Sequence, residues 1–172
     1  MLSKNNDRHQ PLVGWIALVI ILLRGKAMRG YFEIGIYNGK TSSNLGTLWR
    51  SAFQLGASGI FIIGQRFSKQ ASDTVKAWRS IPLREYTDFN HFLSCRPYDC
   101  FLIGVEMGGS SLSEYHHPER AIYLLGAEDH GLPPAVIDRC NKIISLDAVN
   151  TESYNVAVAG TLVMYHRQFL AL

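Results

Sequence analysis

The sequence predicts an α/β fold with a mostly parallel sheet covered by helices. Short apolar segments typical of strands alternate along the chain with segments that carry helix caps. Asp99–Val105 is apolar enough to be buried on both faces, as expected of a strand in a parallel sheet. With 172 residues, of which 47% are hydrophobic and 18% charged, the chain can form one such domain with a proper core.

In the first half of the domain, turn and cap residues separate the predicted elements. Asn38-Gly39 is a turn signal after the first strand, and Gly56 closes the first helix. The predicted elements are a strand at Phe32–Tyr37, a helix from the caps at Thr41–Asn44 to about Leu55, a strand at Ser58–Ile63, a short helix at Ala71–Arg79 and a helix from Thr87 or Asp88 to about Ser94.

The second half alternates in the same way and ends in an apolar helix. Its predicted elements are strands at Asp99–Val105, Ala121–Leu125 and Lys142–Leu146, a helix from Pro133 to about Cys140 and a last helix at Asn155–Leu170. The last helix is apolar nearly all round, which predicts burial on more than one side. The second cover is either a partner subunit or the rest of the same chain.

Residues 1–27 are set apart as an N-terminal extension, and the domain is predicted over residues 28–172. Leu12–Leu23 is an unbroken apolar run, but a membrane-spanning helix needs about 20 residues. Arg24-Gly25-Lys26 stands where the cleavage site of a secretory signal should begin. We favour translation from Met28 or a disordered extension, and no membrane association. Membrane tethering through Leu12–Leu23 is the weaker alternative.

The cysteines and histidines argue against a disulfide framework and against a metal site. Cys95, Cys100 and Cys140 are an odd number without a CxxC pair, which fits a reduced, cytoplasmic protein. His116-His117-Pro118 is interpreted as a surface loop, because adjacent loop positions rarely converge on one ion. We therefore predict no metal.

Positive charge is concentrated between residues 50 and 84. This segment has six bases against one acid, whereas residues 85–172 have five bases against eleven acids. A basic segment on a near-neutral domain suits a phosphate-binding face, and a solvated surface is the plainer alternative. The bases are Arg50, Arg66, Lys69, Lys76, Arg79 and Arg84.

Three short motifs carry the strongest functional signal. Residues 44–52 are a helix start with an Asn and, six residues on, an Arg. Residues 125–133 are a glycine-bounded loop that leaves the C-terminal end of a strand, and residues 153–159 are a polar loop that enters the last helix. Because ligands of open α/β sheets bind outside the carboxyl ends of strands, the second and third motifs are expected to form one site.

In this order, the motifs resemble those of the SpoU (TrmH-type) family of RNA 2′-O-methyltransferases in the SPOUT superfamily. The resemblance covers residues 31–170. The matching residues are Asn44, Gly46, Arg50, Ser51 and Ala52 in the first motif, Gly126, Glu128, Gly131 and Leu132 in the second, and Ser153, Tyr154, Asn155 and Val156 in the third.

The resemblance implies an α/β fold with a C-terminal trefoil knot, whose loops bind S-adenosyl-L-methionine. It also implies an obligate homodimer packed through the first and last helices. The cofactor-binding residues that it implies are Val105, Leu125, Gly126, Glu128, Leu146, Ser153, Tyr154 and Asn155. The basic segment then becomes the candidate RNA-binding face.

Arg50 and Asn44 are the implied catalytic residues. The resemblance places Arg50 at the substrate end, where it reaches the cofactor site of the partner subunit and helps deprotonate the ribose 2′-hydroxyl or orients its phosphate. Because a guanidinium group is almost always protonated, the orienting role is favoured. Asn44 is expected to hold Arg50 or the ribose, or to be only a helix cap. Glu128 is expected to fix its loop through backbone N–H groups.

The sequence departs from the family pattern at a few positions near the expected site. Tyr154 stands where Leu is usual, beside the expected adenine position, Asp147 where Pro is common, and Asp129-His130 where a small or basic pair is commoner. We predict an active S-adenosylmethionine-dependent RNA 2′-O-methyltransferase. Since residues 1–30 form no separate RNA-binding domain, tRNA is favoured over rRNA as the substrate. The alternative, motivated by Tyr154, is a non-catalytic RNA-binding dimer.

Overall fold

The strands and helices alternate as the sequence predicts. The computed structural model describes residues 30–64, 79–150 and 153–170. In chain order, the elements are β1 (Tyr31–Tyr37), α1 (Ser42–Gln54), β2 (Gly59–Ile63), β3 (Leu83–Tyr86), α2 (Phe89–Cys95), β4 (Phe101–Ser111), β5 (Arg120–Leu125), α3 (Pro134–Ile137), β6 (Lys142–Ser145) and α4 (Val156–Tyr165). A 3₁₀ turn at Leu112–Glu114 follows β4, and a π-helical turn at His166–Leu170 extends α4.

The described strands form one six-stranded sheet in the order β3-β2-β1-β5-β4-β6, and every neighbouring pair is parallel. This confirms the predicted α/β class with a parallel sheet. Helices α1 and α4 pack on one face of the sheet, and α2 and α3 pack on the other. Because all strands point the same way, the loops that follow β1, β4, β5 and β6 meet at one edge.

Several elements differ from their predicted bounds. Strand β3 was not predicted, because its four residues include Arg84 and Glu85 and it lies at the sheet edge, where apolar patterning is weak. Strand β4 continues past Val105 to Ser111, and Ile144 of β6 pairs with both Val105 and Ser110, so the intervening residues leave the ladder and return. Helix α3 ends at Ile137 rather than near Cys140. The predicted helix at Ala71–Arg79 lies outside the described residues except for Arg79.

Arg84 forms an ion pair with the buried carboxylate of Glu33 on β1. Glu33 is 1% exposed and also accepts a hydrogen bond from the Tyr31 hydroxyl. An unpaired buried carboxylate would be strongly destabilising, so Arg84 is tied to a structural role in the sheet. If Arg84 binds RNA as predicted, the same side chain must do so while it is paired with Glu33.

The C-terminal turn is anchored to the β4–β5 connection by a buried cation. Arg167 is 1% exposed, and its guanidinium donates to the backbone carbonyls of Pro118 at 2.6 Å and Glu119 at 2.8 Å. Its Cζ also lies 5.0 Å from the centre of the Phe32 ring. Carbonyl and aromatic partners compensate most of the cost of burying this charge, although the Arg167 Nε has no hydrogen-bond partner in the described part of the chain.

His117 belongs to the same buried cluster, so its prediction as a surface-loop residue is wrong. Its two ring nitrogens contact the Tyr123 hydroxyl and, at 2.9 Å, His166 Nδ1. The neighbouring His116 is exposed, as predicted. A histidine whose two nitrogens both have partners can be buried as a neutral ring, and adjacency in sequence gave no sign of this.

The His117 ring makes the stability of the fold pH-dependent. Burial, with smaller contributions from His166, Arg167 and His116, lowers the pKa of His117 to about 3. In the unfolded chain the ring titrates near pH ~6.5, so only the unfolded state binds the proton between these values. As the pH is lowered across this window, the free energy of unfolding should therefore fall by about 1.4 kcal/mol per pH unit because of this ring alone.

Urea unfolding at several pH values between these limits checks this expectation. His117→Gln should reduce the slope by about 1.4 kcal/mol per pH unit, whereas His116→Gln, which changes an exposed ring next to it, should leave the slope intact. Equal slopes in the wild type and His117→Gln would contradict the assignment.

Candidate functional site

A cavity of about 380 Å³ lies at this edge of the sheet, between residues 105–107 of β4, the loop after β5, the end of β6 and the segment that enters α4. This volume lies in the range of small-molecule sites. The predicted cofactor-binding residues that line it are Val105, Leu125, Gly126, Glu128, Leu146, Ser153 and Tyr154. Asn155, the remaining one, is not among the lining residues and instead begins α4.

Sequence reasoning missed several residues that also line the cavity. They are Glu106, Met107, Ala127, Asp129, His130, Gly131, Ser145, Val156 and Ala159. Most are direct neighbours of predicted residues. Glu106 had its own signal, because it directly follows the apolar segment Phe101–Val105, at the predicted carboxyl end of that strand.

A chain of side-chain hydrogen bonds connects the three motifs. Asn44 Nδ2 donates to Glu128 Oε1 at 2.7 Å, and Asn155 Nδ2 donates to Asn44 Oδ1 at 3.0 Å. Asn155 Oδ1 in turn accepts from the backbone N–H groups of Ala157 and Val158, at 3.0 and 3.3 Å, and so caps α4. Residues more than 80 positions apart in the sequence are thereby held together at the sheet edge.

Asn44 therefore joins two loops and does not cap its own helix. The N-cap position of α1 is Thr41, and it makes no side-chain cap hydrogen bond. Both ends of the Asn44 amide are used by Glu128 and Asn155. The simple helix-cap interpretation of Asn44 is wrong, and the structure gives the residue a positioning role beside the cavity.

Glu128 is held as a carboxylate. Burial alone would raise its pKa, but hydrogen bonds from its own backbone N–H, from Asn44 and from the Lys40 N–H outweigh burial and lower the pKa. The Lys40 N–H lies 3.3 Å from Glu128 Oε2. The negative charge thus ties the segment after β1 to the loop after β5.

The second motif folds into a tight turn that requires its glycines. Backbone hydrogen bonds pair Ala127 with Gly131, at 2.9 and 3.3 Å. Gly131 has φ +61°, and a Cβ there would lie 2.3 Å from Glu106 Oε2, while a Cβ on Gly126 would lie 2.3 Å from the Gly131 carbonyl carbon. Glu106 also accepts the Leu132 N–H at 2.6 Å, which fixes the end of the turn.

Tyr154 forms part of the cavity wall and is held by Asp147. The Tyr154 hydroxyl donates to the Asp147 carbonyl oxygen at 2.9 Å. The Asp147 carboxylate accepts from Ser111 Oγ at 2.6 Å and from the Ser113 N–H at 3.2 Å. These two departures from the family pattern therefore act together, because Asp147 links the Tyr154 ring to the end of β4.

The lining of the cavity suits S-adenosylmethionine. Val105, Leu125 and Leu146 provide apolar walls, and Glu106 and Glu128 place carboxylates around the opening. A ligand with a flat aromatic ring and a positively charged sulfonium would find complementary surfaces there.

The predicted catalytic arginine lies apart from this cavity. Arg50 is partly buried on α1 and is not among the residues that line the cavity of its own chain. Of the other predicted RNA-binding residues, Arg79 is exposed, Arg84 pairs with Glu33, and the remaining three lie outside the described residues. Those three are Arg66, Lys69 and Lys76.

The described residues hold neither a metal-binding cluster nor a membrane-spanning helix. In residues 30–64, 79–150 and 153–170, no cluster of three or more His, Cys, Asp or Glu side chains could hold a metal ion. Within the same part of the chain, no helix has the length and hydrophobicity needed to cross a membrane. Leu12–Leu23 lies outside the described residues.

A double-mutant cycle between Asn44 and Asn155 tests the hydrogen-bond chain. Asn155→Ala should lower the free energy of unfolding by about 1 kcal/mol, because it removes the cap of α4. Asn44→Ala and Asn155→Ala together should show a coupling of about 0.5–1 kcal/mol in chemical denaturation. Thr47→Ala, an exposed control on α1, should combine additively with Asn155→Ala. Additive effects of the Asn44 and Asn155 changes would contradict the link.

Comparisons with known proteins agree with this geometry. A sequence model of the SpoU rRNA Methylase family matches residues 32–165. A protein of Mycolicibacterium gilvum (strain PYR-GCK), described as an uncharacterized tRNA/rRNA methyltransferase, is 31% identical over 132 residues. That match covers 70% of this chain but only 41% of the relative, so the chain spans about two fifths of its length.

Solved structures share the fold at lower identity. A chain studied for the 2-OH methylation of C/U34 on tRNA is 24% identical, with a TM-score of 0.70, over 80% of this chain and 94% of that chain. An AdoMet-bound rRNA methyltransferase from Sinorhizobium meliloti is 23% identical, with a TM-score of 0.70, over 84% and 59%. The SpoU methyltransferase AviRb from Streptomyces viridochromogenes is 20% identical, with a TM-score of 0.71, over 85% and 63%. With the family match over most of the sheet and all three motifs, the chain belongs to the SpoU rRNA methylase family.

Proposed function

We propose that this protein transfers a methyl group from S-adenosyl-L-methionine to a ribose 2′-hydroxyl in RNA, with tRNA as the substrate. The observation that carries the proposal is the cavity at the sheet edge, which all three motifs build or brace. The family match and the AdoMet-bound relative from Sinorhizobium meliloti support the cofactor.

The choice of tRNA rests on one structural neighbour. The chain studied for 2-OH methylation of tRNA is matched over 94% of its length, whereas the rRNA methyltransferase from Sinorhizobium meliloti is matched over 59%. An rRNA 2′-hydroxyl is the alternative substrate of the same reaction.

The cavity residues would bind and orient the cofactor, which supplies the methyl group when bound. Val105, Leu125 and Leu146 exclude water from one side, and the rigid turn at Gly126–Gly131 presents its backbone to the ligand. Tyr154 adds an aromatic ring to the wall. Methyl transfer needs the attacking oxygen in line with the methyl group, so such fixed positioning supplies much of the rate.

An apolar stripe on α4 and its C-terminal turn supports a homodimer. Val158, Leu162, Tyr165 and Phe169 are 39–49% exposed and recur at intervals of three and four residues. They therefore share one side of the helix, opposite the residues that pack on the sheet. A second copy of the chain would cover this stripe. We expect the dimer to act on RNA in the cytoplasm.

In that dimer Arg50 acts across the interface. Arg50 does not line the cavity of its own chain, and its helix α1 packs beside α4, where Thr161 Oγ1 donates to Ser51 Oγ at 2.9 Å. A guanidinium group stays protonated, so Arg50 stabilises the RNA phosphate and the reacting hydroxyl electrostatically. The knot expected of the fold would bring the third motif to the same site.

Methyl transfer from labelled S-adenosylmethionine to an unmodified tRNA pool, with rRNA in parallel, tests the proposal. Wild-type protein should produce 2′-O-methyl nucleotides, recognised by their resistance to alkaline hydrolysis. Arg50→Ala should lower kcat by about 10²–10³-fold, as expected for loss of one preorganised charge, and leave cofactor affinity unchanged. Gln54→Ala, one turn further along α1 and exposed, is the matched control.

Mixing two inactive variants tests the action of Arg50 across the interface. A mixture of the Arg50→Ala protein with the Gly126→Val protein, in which the cavity turn is obstructed, should regain about a quarter of the wild-type rate. About half of randomly paired dimers are mixed, and each would hold one complete site. No recovery on mixing would contradict the shared site. Cofactor-independent RNA binding without transfer would instead favour the non-catalytic dimer.

A further inference from the structure

We propose that His130 is the general base that accepts the ribose 2′-hydroxyl proton, with Asp129 and Lys40 positioning its ring. This inference rests on the proposed function and assigns a step that the three motifs leave open. The described residues contain a group of the right chemistry on the cavity lining, and it belongs to the pair that departs from the family pattern.

The reaction requires a proton acceptor. As the ribose oxygen bonds to the methyl carbon, the carbon–sulfur bond of the cofactor breaks with its electron pair going to sulfur, and the hydroxyl proton must leave. An effective base has an ordinary pKa near the working pH. Arg50 does not meet this requirement, because a guanidinium group has no free electron pair at neutral pH.

The other titratable groups on the lining are poor bases. Glu106 is occupied by the backbone N–H of Leu132, and the pKa of Glu128 is lowered by its hydrogen bonds. The hydrogen bond from Lys40 lowers the pKa of the Asp129 carboxyl. The Tyr154 hydroxyl is engaged as a donor to the Asp147 carbonyl oxygen. His130 is the remaining titratable side chain of the described lining, and histidine is the residue type that titrates near neutrality.

The surroundings of His130 orient its ring for this role. His130 Nε2 lies 3.1 Å from Asp129 Oδ2, and the Lys40 ammonium pairs with the same oxygen. A carboxylate beside Nε2 favours the tautomer that carries its proton there, which leaves the electron pair on Nδ1. An Asp that orients a catalytic His in this way is a recurrent arrangement in enzymes.

The position of His130 also suits proton exchange with both substrate and solvent. Its side chain is 84% exposed while still lining the cavity, so it stands at the opening through which a large RNA must approach. Nδ1 accepts the hydroxyl proton and releases it to water after transfer. Of the nearby charged groups, Asp129 contacts Nε2, Lys40 pairs with Asp129, and Glu106 and Glu128 line the same cavity.

Single-turnover methylation of an unmodified tRNA pool across pH tests the proposal. The logarithm of the wild-type rate should rise with pH with a slope of one and level off near neutral pH. His130→Gln should lower the rate by about 10²–10⁴-fold and abolish the inflection, with cofactor affinity in calorimetry unchanged. His130→Ala should be rescued by added imidazole. His116→Gln, an exposed histidine outside the cavity lining, is the matched control.

NMR of the protein with ¹⁵N-labelled histidine gives a readout that needs no RNA. His130 should carry its proton on Nε2, and Asp129→Ala should shift the ring toward a mixture of tautomers. A proton on Nδ1 in the wild type, or a His130→Gln rate within about threefold of an active wild type, would overturn this inference alone. A wild type that methylates neither tRNA nor rRNA would contradict the proposed function itself.

Discussion

The hydrogen bonds that Asn44 donates to Glu128 and accepts from Asn155 are the constraint on which the site depends. Each residue belongs to a different motif: the first motif lies in α1, the second follows β5 and the third leads into α4. Glu128 is kept ionised by its donors, and Asn155 uses its remaining oxygen to begin α4. One small polar chain therefore sets the relative positions of α1, the turn after β5 and the start of α4.

The opposite end of α4 is secured by different chemistry. There the buried Arg167 donates to backbone carbonyls of the β4–β5 connection, and the neutral ring of His117 completes the cluster with Tyr123 and His166. Both ends of α4 are thus attached to the chain by polar contacts, while its middle packs through buried apolar residues. A helix held at both ends presents its remaining apolar side in a fixed orientation, as the proposed dimer requires.

The sequence allowed most of the fold and the outline of the site to be predicted. Five strands and the main helices follow from local apolar runs and caps, and the cavity residues Gly126 and Glu128 follow from the motif resemblance. The edge strand β3 was not predicted, because Arg84 and Glu85 interrupt its apolar pattern and its pairing is set by the neighbouring strand β2. The longer reach of β4 was equally hidden, since its glycines are typical of a loop.

The roles of particular side chains needed the three-dimensional structure. Asn44 was expected to hold Arg50 or the ribose, or to be only a helix cap, yet its amide bridges two distant segments. His117 looked like a loop residue, yet burial removes it from solvent, and Arg84 counted as a surface charge, yet it pairs with a buried carboxylate. In each case the decisive partner lies far away in the sequence, where spacing and composition carry no information.

Calorimetric titration with S-adenosylmethionine tests most directly whether the joined motifs make the cofactor site. The account predicts micromolar binding by the wild type and a loss of about tenfold in affinity, or about 1.4 kcal/mol, in Asn44→Ala, although Asn44 does not line the cavity. Thr47→Ala on the same helix should bind like the wild type. No binding by the wild type, or equal affinity in Asn44→Ala, would contradict the account.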